Sequence, residues 1–281
     1  MRALAELPDE CVGLVYIDPP FNTGKRRRLT QLRTELDPDG DRTGFGGRRY
    51  RTTRLRSMSY GDDYDEYLSF LEPRLREARR VLRRDGSIFV HLDCREVHYC
   101  KVLMDGLFGR DNFQNEIIWS YDFGARSRSR WSRKHDNLLW YSRSPKAYSY
   151  NFDAVDRIPY MAPGLVGKEK AARGKTPTDV WWQTIVPTNG CERTGYPTQK
   201  PLKILDRIVR VHSKPGDLVL DFFAGSGTSG EAAGMHGRAF LMVDHNPEAI
   251  AVMSRRLSRF EPLMVDLAQP DAAAVQLALP T

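Results

Sequence analysis

The sequence predicts an α/β protein: a mostly parallel sheet with helices on both faces, plus an inserted region. Three observations predict it. Short apolar runs of strand length recur at residues 12–17, 87–92, 218–220 and 238–243. Stretches with apolar residues at helical spacing lie between them, as the crossovers of parallel strands require. Each run also ends on an acid, namely Asp18, Asp93, Asp221 and Asp244. Ligands in such sheets bind beyond the carboxyl ends of the strands, so four acids on one rim are a functional signal. The plainer role for any one of them is a helix cap.

The elements follow in order. Residues 1–10 read as a short helical piece, and Val-Gly-Leu-Val-Tyr-Ile at 12–17 as a buried strand. Asp18-Pro19-Pro20-Phe21 must turn, because two prolines neither continue a ladder nor start a regular helix. Residues 22–60 are polar, rich in Gly and Arg and without period, and read as a long mobile loop. Tyr67, Leu68, Leu71, Leu75, Ala78 and Leu82 set a helix over 64–84, with Asp85-Gly86 as its stop. A strand at 87–92 precedes a helix at 97–108 that Gly109 closes. Residues 113–121 and 138–141 read as paired strands. Residues 151–195 are irregular, with several prolines and Trp181-Trp182, and read as an inserted lobe. A helix at 201–212, a turn at Lys214-Pro215-Gly216 and a strand at 218–220 follow. After a glycine turn come a helix to about 234, a strand at 238–243 and a helix at 247–259.

Composition narrows the class. With 41% hydrophobic residues, including 12 Phe, 12 Tyr and 5 Trp, a core can be built. No apolar run approaches the ~20 residues that span a bilayer. Residues 1–10 carry acids and no apolar stretch of the kind a secretory signal has. Four cysteines without a CxxC pair, and scattered histidines, indicate neither a metal site nor a disulfide scaffold, and a reducing, cytoplasmic setting is expected. The net charge of +7 is unevenly spread. Residues 25–56 hold eleven Lys/Arg against four acids, and residues 126–134 hold five against none. Lys25, Arg26, Arg27, Arg28, Arg126, Arg128, Arg130, Arg133 and Lys134 therefore suit a phosphate backbone. A solvated loop face is the bland alternative.

Two motifs carry chemistry. Residues 225–230 satisfy G-x-G-x-x-G between a strand and a helix, where backbone can approach a ligand closely. Asp244 follows Gly225 by 19 residues, at the end of the next strand, where an acid can hold a ribose diol. A nucleoside-containing cofactor is expected. A nicotinamide dehydrogenase fits poorly, because only about 50 residues follow Gly230, too few for the usual dinucleotide domain. In the second motif, the Asp18 carboxylate and the Pro19 carbonyl can accept both hydrogens of an exocyclic amine. Phe21 can stack on its ring.

The two motifs in this order resemble the permuted, beta-class DNA amino-methyltransferases, type III modification subunits included. The resemblance runs in pieces from about residue 7 to 257. Its strongest blocks are residues 18–24 (DPPFNTG), 115–119 (NEIIW), 195–201 (GYPTQKP) and 221–228 (DFFAGSGT). It implies a Rossmann-like methyltransferase sheet divided into a catalytic half at 1–150, a target-recognition insertion at 151–195 and a cofactor-binding half at 196–281. It implies S-adenosylmethionine as cofactor, held by Thr198, Gln199, Lys200, Asp221, Phe223, Ala224, Gly225, Gly227, Thr228, Asp244 and Asn246. It implies double-stranded DNA as partner, with a flipped base gripped by the catalytic turn Asp18, Pro19, Pro20 and Phe21. A homodimer and a restriction-enzyme partner fit the same family.

The chemistry so implied is direct transfer of a sulfonium methyl to an exocyclic nitrogen. Asp18 orients the amine and supports its developing charge. A carbon-5 enzyme would need Pro-Cys where this chain has Asp-Pro-Pro. Asp in the first place of the motif leans toward adenine N6, with cytosine N4 the nearest rival. An idle DNA-binding protein retaining the fold and an RNA or protein-glutamine methyltransferase are further alternatives. Trp119 and Tyr121 serve either the core or the base pocket, Trp181-Trp182 either packing or DNA, and Asp93 caps or orients rather than catalyses. Finally, the family's strand before the first helix has one candidate here, residues 263–266 beside the strand ending at Asp244. The other reading of those residues is a frayed tail.

Overall fold

A one-turn helix, α1 (Arg2–Ala5), leads into β1 (Val12–Ile17), all six residues of which are buried. The computed structural model describes residues 2–22, 27–43, 47–60, 66–124 and 126–267. Next come β2 (Arg27–Leu36), β3 (Arg42–Thr43) and β4 (Arg49–Tyr60), then α2 (Tyr67–Val81), β5 (Leu82–Leu92) and α3 (Val97–Phe108). β6 (Phe113–Ser120), β7 (His135–Ser142), α4 (Lys168–Arg173) and β8 (Val180–Trp182) follow. The chain continues through α5 (Leu202–His212), β9 (Leu218–Asp221), α6 (Thr228–Met235), β10 (Ala239–Met242) and α7 (Pro247–Leu257).

Seven strands form one sheet in the order β10-β9-β1-β5-β7-β6-β8. β10, β9, β1 and β5 run parallel, β7 is antiparallel to both its neighbours, and β8 is parallel to β6. The alternation of side chains along β1 feeds two cores. Val15 and Ile17 join Leu71, Leu75, Met104 and Phe108 from α2 and α3 on one face. Leu14 and Tyr16 join Ile204, Ile208, Ala232 and Ala233 from α5 and α6 on the other. Each buried Leu or Ile side chain contributes about 1.5–3 kcal/mol by leaving water. The two-sided burial explains why the central strands read as continuous apolar runs.

Two expectations need correcting. Residues 22–60 are not one irregular loop: β2 and β4 form a long antiparallel ribbon, with β3 adding to β4. A ladder needs backbone hydrogen bonds rather than an apolar face, so an Arg- and Thr-rich ribbon leaves no hydrophobic period to read. Residues 151–195, read as an inserted lobe, dock on the main sheet and on α5. β8 extends the main sheet beyond β6, and Asp156 binds Arg207 and Arg210 of α5 at 2.7 Å each. Residues 263–266 form no strand, and β10 is the sheet's edge. A smaller shift concerns Asp85-Gly86, which lie inside β5 rather than stopping α2. Among the described residues, no helix is long and apolar enough to cross a membrane.

Candidate active site

The carboxyl ends of β1, β9 and β10 surround a cavity of about 580 Å³, a size that suits a cofactor or small ligand. The first wall is the turn after β1. Asp18, Pro19, Pro20 and Phe21 all line the cavity. Asn22 ends the turn in the left-handed region, with φ of 51°, and its side-chain amide donates to Glu96 at 2.9 Å. Asp18 Oδ2 accepts from the Lys200 ammonium, whose Nζ also sits 4.9 Å from the Phe21 ring centre. Asp18 Oδ1 is buried and has no hydrogen-bond partner among the described residues. An orphaned carboxylate oxygen is costly to bury, and here it stands in a cavity wall, ready to accept from a ligand.

The second wall is the glycine turn after β9. Gly225 has φ of 51°, and a Cβ there would stand 3.2 Å from the Tyr196 ring. Asp244 fixes this turn with one oxygen, accepting from the Gly225 N–H at 2.8 Å, and with the other accepts from Asn246 N at 2.8 Å. Each oxygen keeps a second lone pair for a ligand hydroxyl. Asp221 is buried beneath the turn, accepting from Phe223 N at 2.9 Å and Ser229 Oγ at 2.6 Å. Burial pushes its carboxyl up to about 7; its hydrogen bonds oppose the shift, and the charges of Asp18 and Asp244 add to it. Three carboxyls thus converge on one cavity, and a cationic ligand there would favour the ionised form of Asp221.

Of the residues expected to hold a cofactor, Thr198, Lys200, Asp221, Phe223, Ala224, Gly225, Thr228, Asp244 and Asn246 line the cavity. Two expected residues do not. Gln199 turns into its own loop, accepting from Thr194 N and Oγ1 at 2.8 Å each and donating to Glu192 O at 2.7 Å. Gly227 faces helix α7, where an added Cβ would meet Met253 Cγ at 2.8 Å. Its glycine serves packing and a φ of 73° at the start of α6. Sequence reasoning missed Tyr16, Phe70, Arg74, Tyr196, Ser226 and His245, which also line the cavity. Tyr16 was legible by strand alternation, since it lies two residues before Asp18. Phe70 and Arg74 come from α2, and no local signal ties them to the rim.

Behind the first wall runs a buried polar row. The Tyr16 hydroxyl meets His91 Nδ1 at 2.8 Å, His91 Nε2 meets Asp136 Oδ2 at 3.2 Å, and the Tyr121 hydroxyl donates to Asp136 Oδ1 at 3.1 Å. Burial opposes charge on Asp136, but the hydrogen bond and charge of His91 hold its carboxyl below the usual range. Trp119 is core, donating to Gln183 O at 2.6 Å and lying edge-on to His91. Trp181 packs under Arg207, whereas Trp182 is exposed. Asp93 accepts from Arg95 N at 2.9 Å in the turn before α3, whose N-cap is Glu96.

Arg126, Arg128, Arg130 and Arg133 are exposed on the loop between β6 and β7. Lys134 instead closes that loop, donating to Phe123 O at 2.7 Å and Gly124 O at 3.1 Å. Arg27 and Arg28 are the first residues of β2, while Lys25 and Arg26 lie outside the described residues. Among the described residues no cluster of His, Cys, Asp or Glu is grouped to hold a metal.

Comparison with known proteins converges on one class. The family model described as "DNA methylase" matches residues 12–255. The chain is 28% identical over 260 residues to the type II methyltransferase M.HpaI of Haemophilus parainfluenzae, covering 92% of this chain and 71% of that one. It is 29% identical over 271 residues to the DNA adenine methyltransferase YhdJ of Escherichia coli, covering 91% and 80%. Among solved structures, the cytosine-N4-specific PvuII DNA methyltransferase superimposes with a TM-score of 0.59 at 18% identity, covering 96% of this chain and 87% of that one. A putative DNA modification methylase from Thermus thermophilus, complexed with S-adenosyl-L-methionine, gives 0.55 at 22% identity, covering 94% and 92%.

Proposed function

The chain belongs to the DNA methylase family, and from that premise we propose that it methylates the exocyclic amine of a flipped DNA base, adenine N6, using S-adenosylmethionine. The observation that carries the reading is the Asp18 carboxylate. One of its oxygens is held by Lys200 and the other is buried without a partner among the described residues, in the wall shared with the glycine turn. That free oxygen and the Pro19 carbonyl are the two acceptors an amine with two hydrogens requires.

The cavity's donor set fits the cofactor. S-adenosylmethionine, when bound, supplies a methyl group on a positively charged sulfur. Asp244 offers lone pairs to a ribose diol, Phe223 an aromatic wall to a purine, and Gly225 a turn without a side chain. Thr198, Lys200, Ala224, Thr228 and Asn246 complete that wall. Asp244, and Asp221 when it ionises, favour a cation. In the reaction, Asp18 and Pro19 aim the nitrogen lone pair and Phe21 stacks on the base. Lys200 holds Asp18 in place, and the carboxylate supports the positive charge that develops on nitrogen. A proton then leaves the nitrogen for solvent.

Duplex DNA is the proposed partner. A base leaves the stack at a cost of a few kcal/mol, which cation–phosphate contacts must offset. Exposed Arg126, Arg128, Arg130 and Arg133 supply such contacts. The ribbon of β2 and β4 supplies more, and a two-stranded ribbon is a shape the major groove admits. We assign target recognition jointly to this ribbon and residues 151–195, and cofactor binding to residues from 196 on. Similarity to an adenine methyltransferase and the acid at position 18 favour adenine. The likeness to a cytosine-N4 enzyme keeps cytosine N4 as the second reading.

The test is incubation with plasmid DNA and methyl-labelled cofactor, followed by digestion to nucleosides. Label in N6-methyldeoxyadenosine is expected. Label in N4-methyldeoxycytidine would move the target to cytosine, and unlabelled DNA would overturn the reading.

A further inference from the structure

Trp131 is 97% exposed, the most exposed aromatic residue among those described. It sits on the loop joining β6 to β7, with Arg128 and Arg130 before it and Arg133 after it, all exposed. The loop is built. Tyr121 N donates to Lys134 O at 2.9 Å, extending the β6–β7 ladder to the loop's root. Lys134 closes that root on Phe123 O at 2.7 Å. Ser127 Oγ accepts from Ser129 N and Arg130 N at 3.3 Å each, and Ser127 N donates to Ser132 Oγ at 3.1 Å. Internal bonds thus cross-tie the loop on both sides of Trp131, while the indole itself stays in solvent.

Its place in the fold matters as much as its exposure. Leu92 at the carboxyl end of β5 pairs with Asn137 near the start of β7, so the loop rises from the same rim as Asp18. In the sheet, β7 is two strands from β1, about 10 Å across. The buried row Tyr16–His91–Asp136–Tyr121 ties the catalytic strand to the loop's root through hydrogen bonds of 2.8, 3.2 and 3.1 Å. The row holds the loop and the catalytic turn in a fixed relation.

We propose that Trp131 is a wedge: it enters the duplex base stack and fills the gap left by the flipped target base, with its flanking arginines on the phosphates. The inference rests on the DNA methyltransferase reading. A large flat ring in solvent, on a loop that carries exposed arginines on both sides of it, has the shape and charge of a group that stacks on bases inside a polyanion. On this assignment Trp131 is a positioning residue that holds the base out and touches neither cofactor nor reacting nitrogen.

The test compares full-length wild type, Trp131→Ala and Trp131→Phe in single-turnover methyl transfer. The substrate is a 24-base-pair duplex bearing the sequence that wild type methylates on plasmid DNA. Trp131→Ala should be at least tenfold slower on the paired duplex, and Trp131→Phe within about threefold of wild type. Replacing the nucleotide opposite the target by an abasic site makes flipping cheap, and there Trp131→Ala should return to within about threefold. A Trp131→Ala variant that matches wild type on the paired duplex overturns the wedge, as does one equally slowed on both duplexes. A wild type that methylates no DNA removes the premise instead, so the two failures are told apart.

Discussion

Asp221→Asn is expected to stabilise the fold at neutral pH, and the size of the effect follows from the geometry. The Asp221 carboxyl is 2% exposed and is pushed from an ordinary value of 3.8 to about 7. Below pH 3.8 the group is neutral in both the folded and unfolded chain, and the variant and wild type should be nearly equal. Between 3.8 and 7 the unfolded chain ionises while the folded chain keeps its proton. Folding there takes up a proton, and wild type loses stability relative to the variant by about 1.4 kcal/mol per pH unit. Across roughly three units the difference approaches about 4 kcal/mol, and it is constant above pH 7. The amide keeps both contacts of the acid, accepting from Phe223 N and bonding Ser229 Oγ. Urea unfolding of both proteins from pH 4.5 to 8.5, without cofactor, measures the difference directly and cancels every other titrating group. A difference that does not change with pH, or a variant less stable than wild type at pH 8, would refute the argument that burial and the neighbouring acids hold Asp221 protonated.

Binding of a sulfonium cation near Asp221 should favour its ionised form, so cofactor binding near pH 7 should release a fraction of a proton. Calorimetry in buffers of different ionisation heat should find this release in wild type and not in Asp221→Asn. Asp18→Ala should abolish methyl transfer while cofactor affinity stays within a few-fold, read by calorimetry beside a transfer assay; appreciable activity would remove Asp18 from its role. Replacing Arg126, Arg128 and Arg130 by Ala should flatten the dependence of log K on log salt for duplex DNA by about 0.9 per lost phosphate contact. An unchanged slope would make the loop a solvated face.

Much of the fold was legible because burial on both sheet faces writes itself as apolar runs, and each such run ended on an acid. The cavity's two main walls were legible for the same reason. Asp18 and Gly225 belong to turns whose local chemistry is unusual, and Asp244 follows the next strand. What stayed hidden depends on contacts distant in sequence. Phe70 and Arg74 reach the cavity from α2, and the Tyr16–His91–Asp136–Tyr121 row links four neighbouring stretches of the sheet through side chains that each look ordinary alone. Gln199 and Gly227 lie off the cavity: local hydrogen bonding engages the first and helix packing the second. The ribbon of β2 and β4 was read as a loop because its ladder is a backbone property that a polar sequence conceals.

That ribbon also has an architectural consequence. Arg27 at its start is paired with Tyr60 at its end, so the chain enters and leaves it at one spot. A change of length between those two residues leaves the separation of the segment's two ends unchanged. The same closeness makes the segment a cassette for engineering: a ribbon from a relative, joined at those two residues, would meet the chain across one strand spacing.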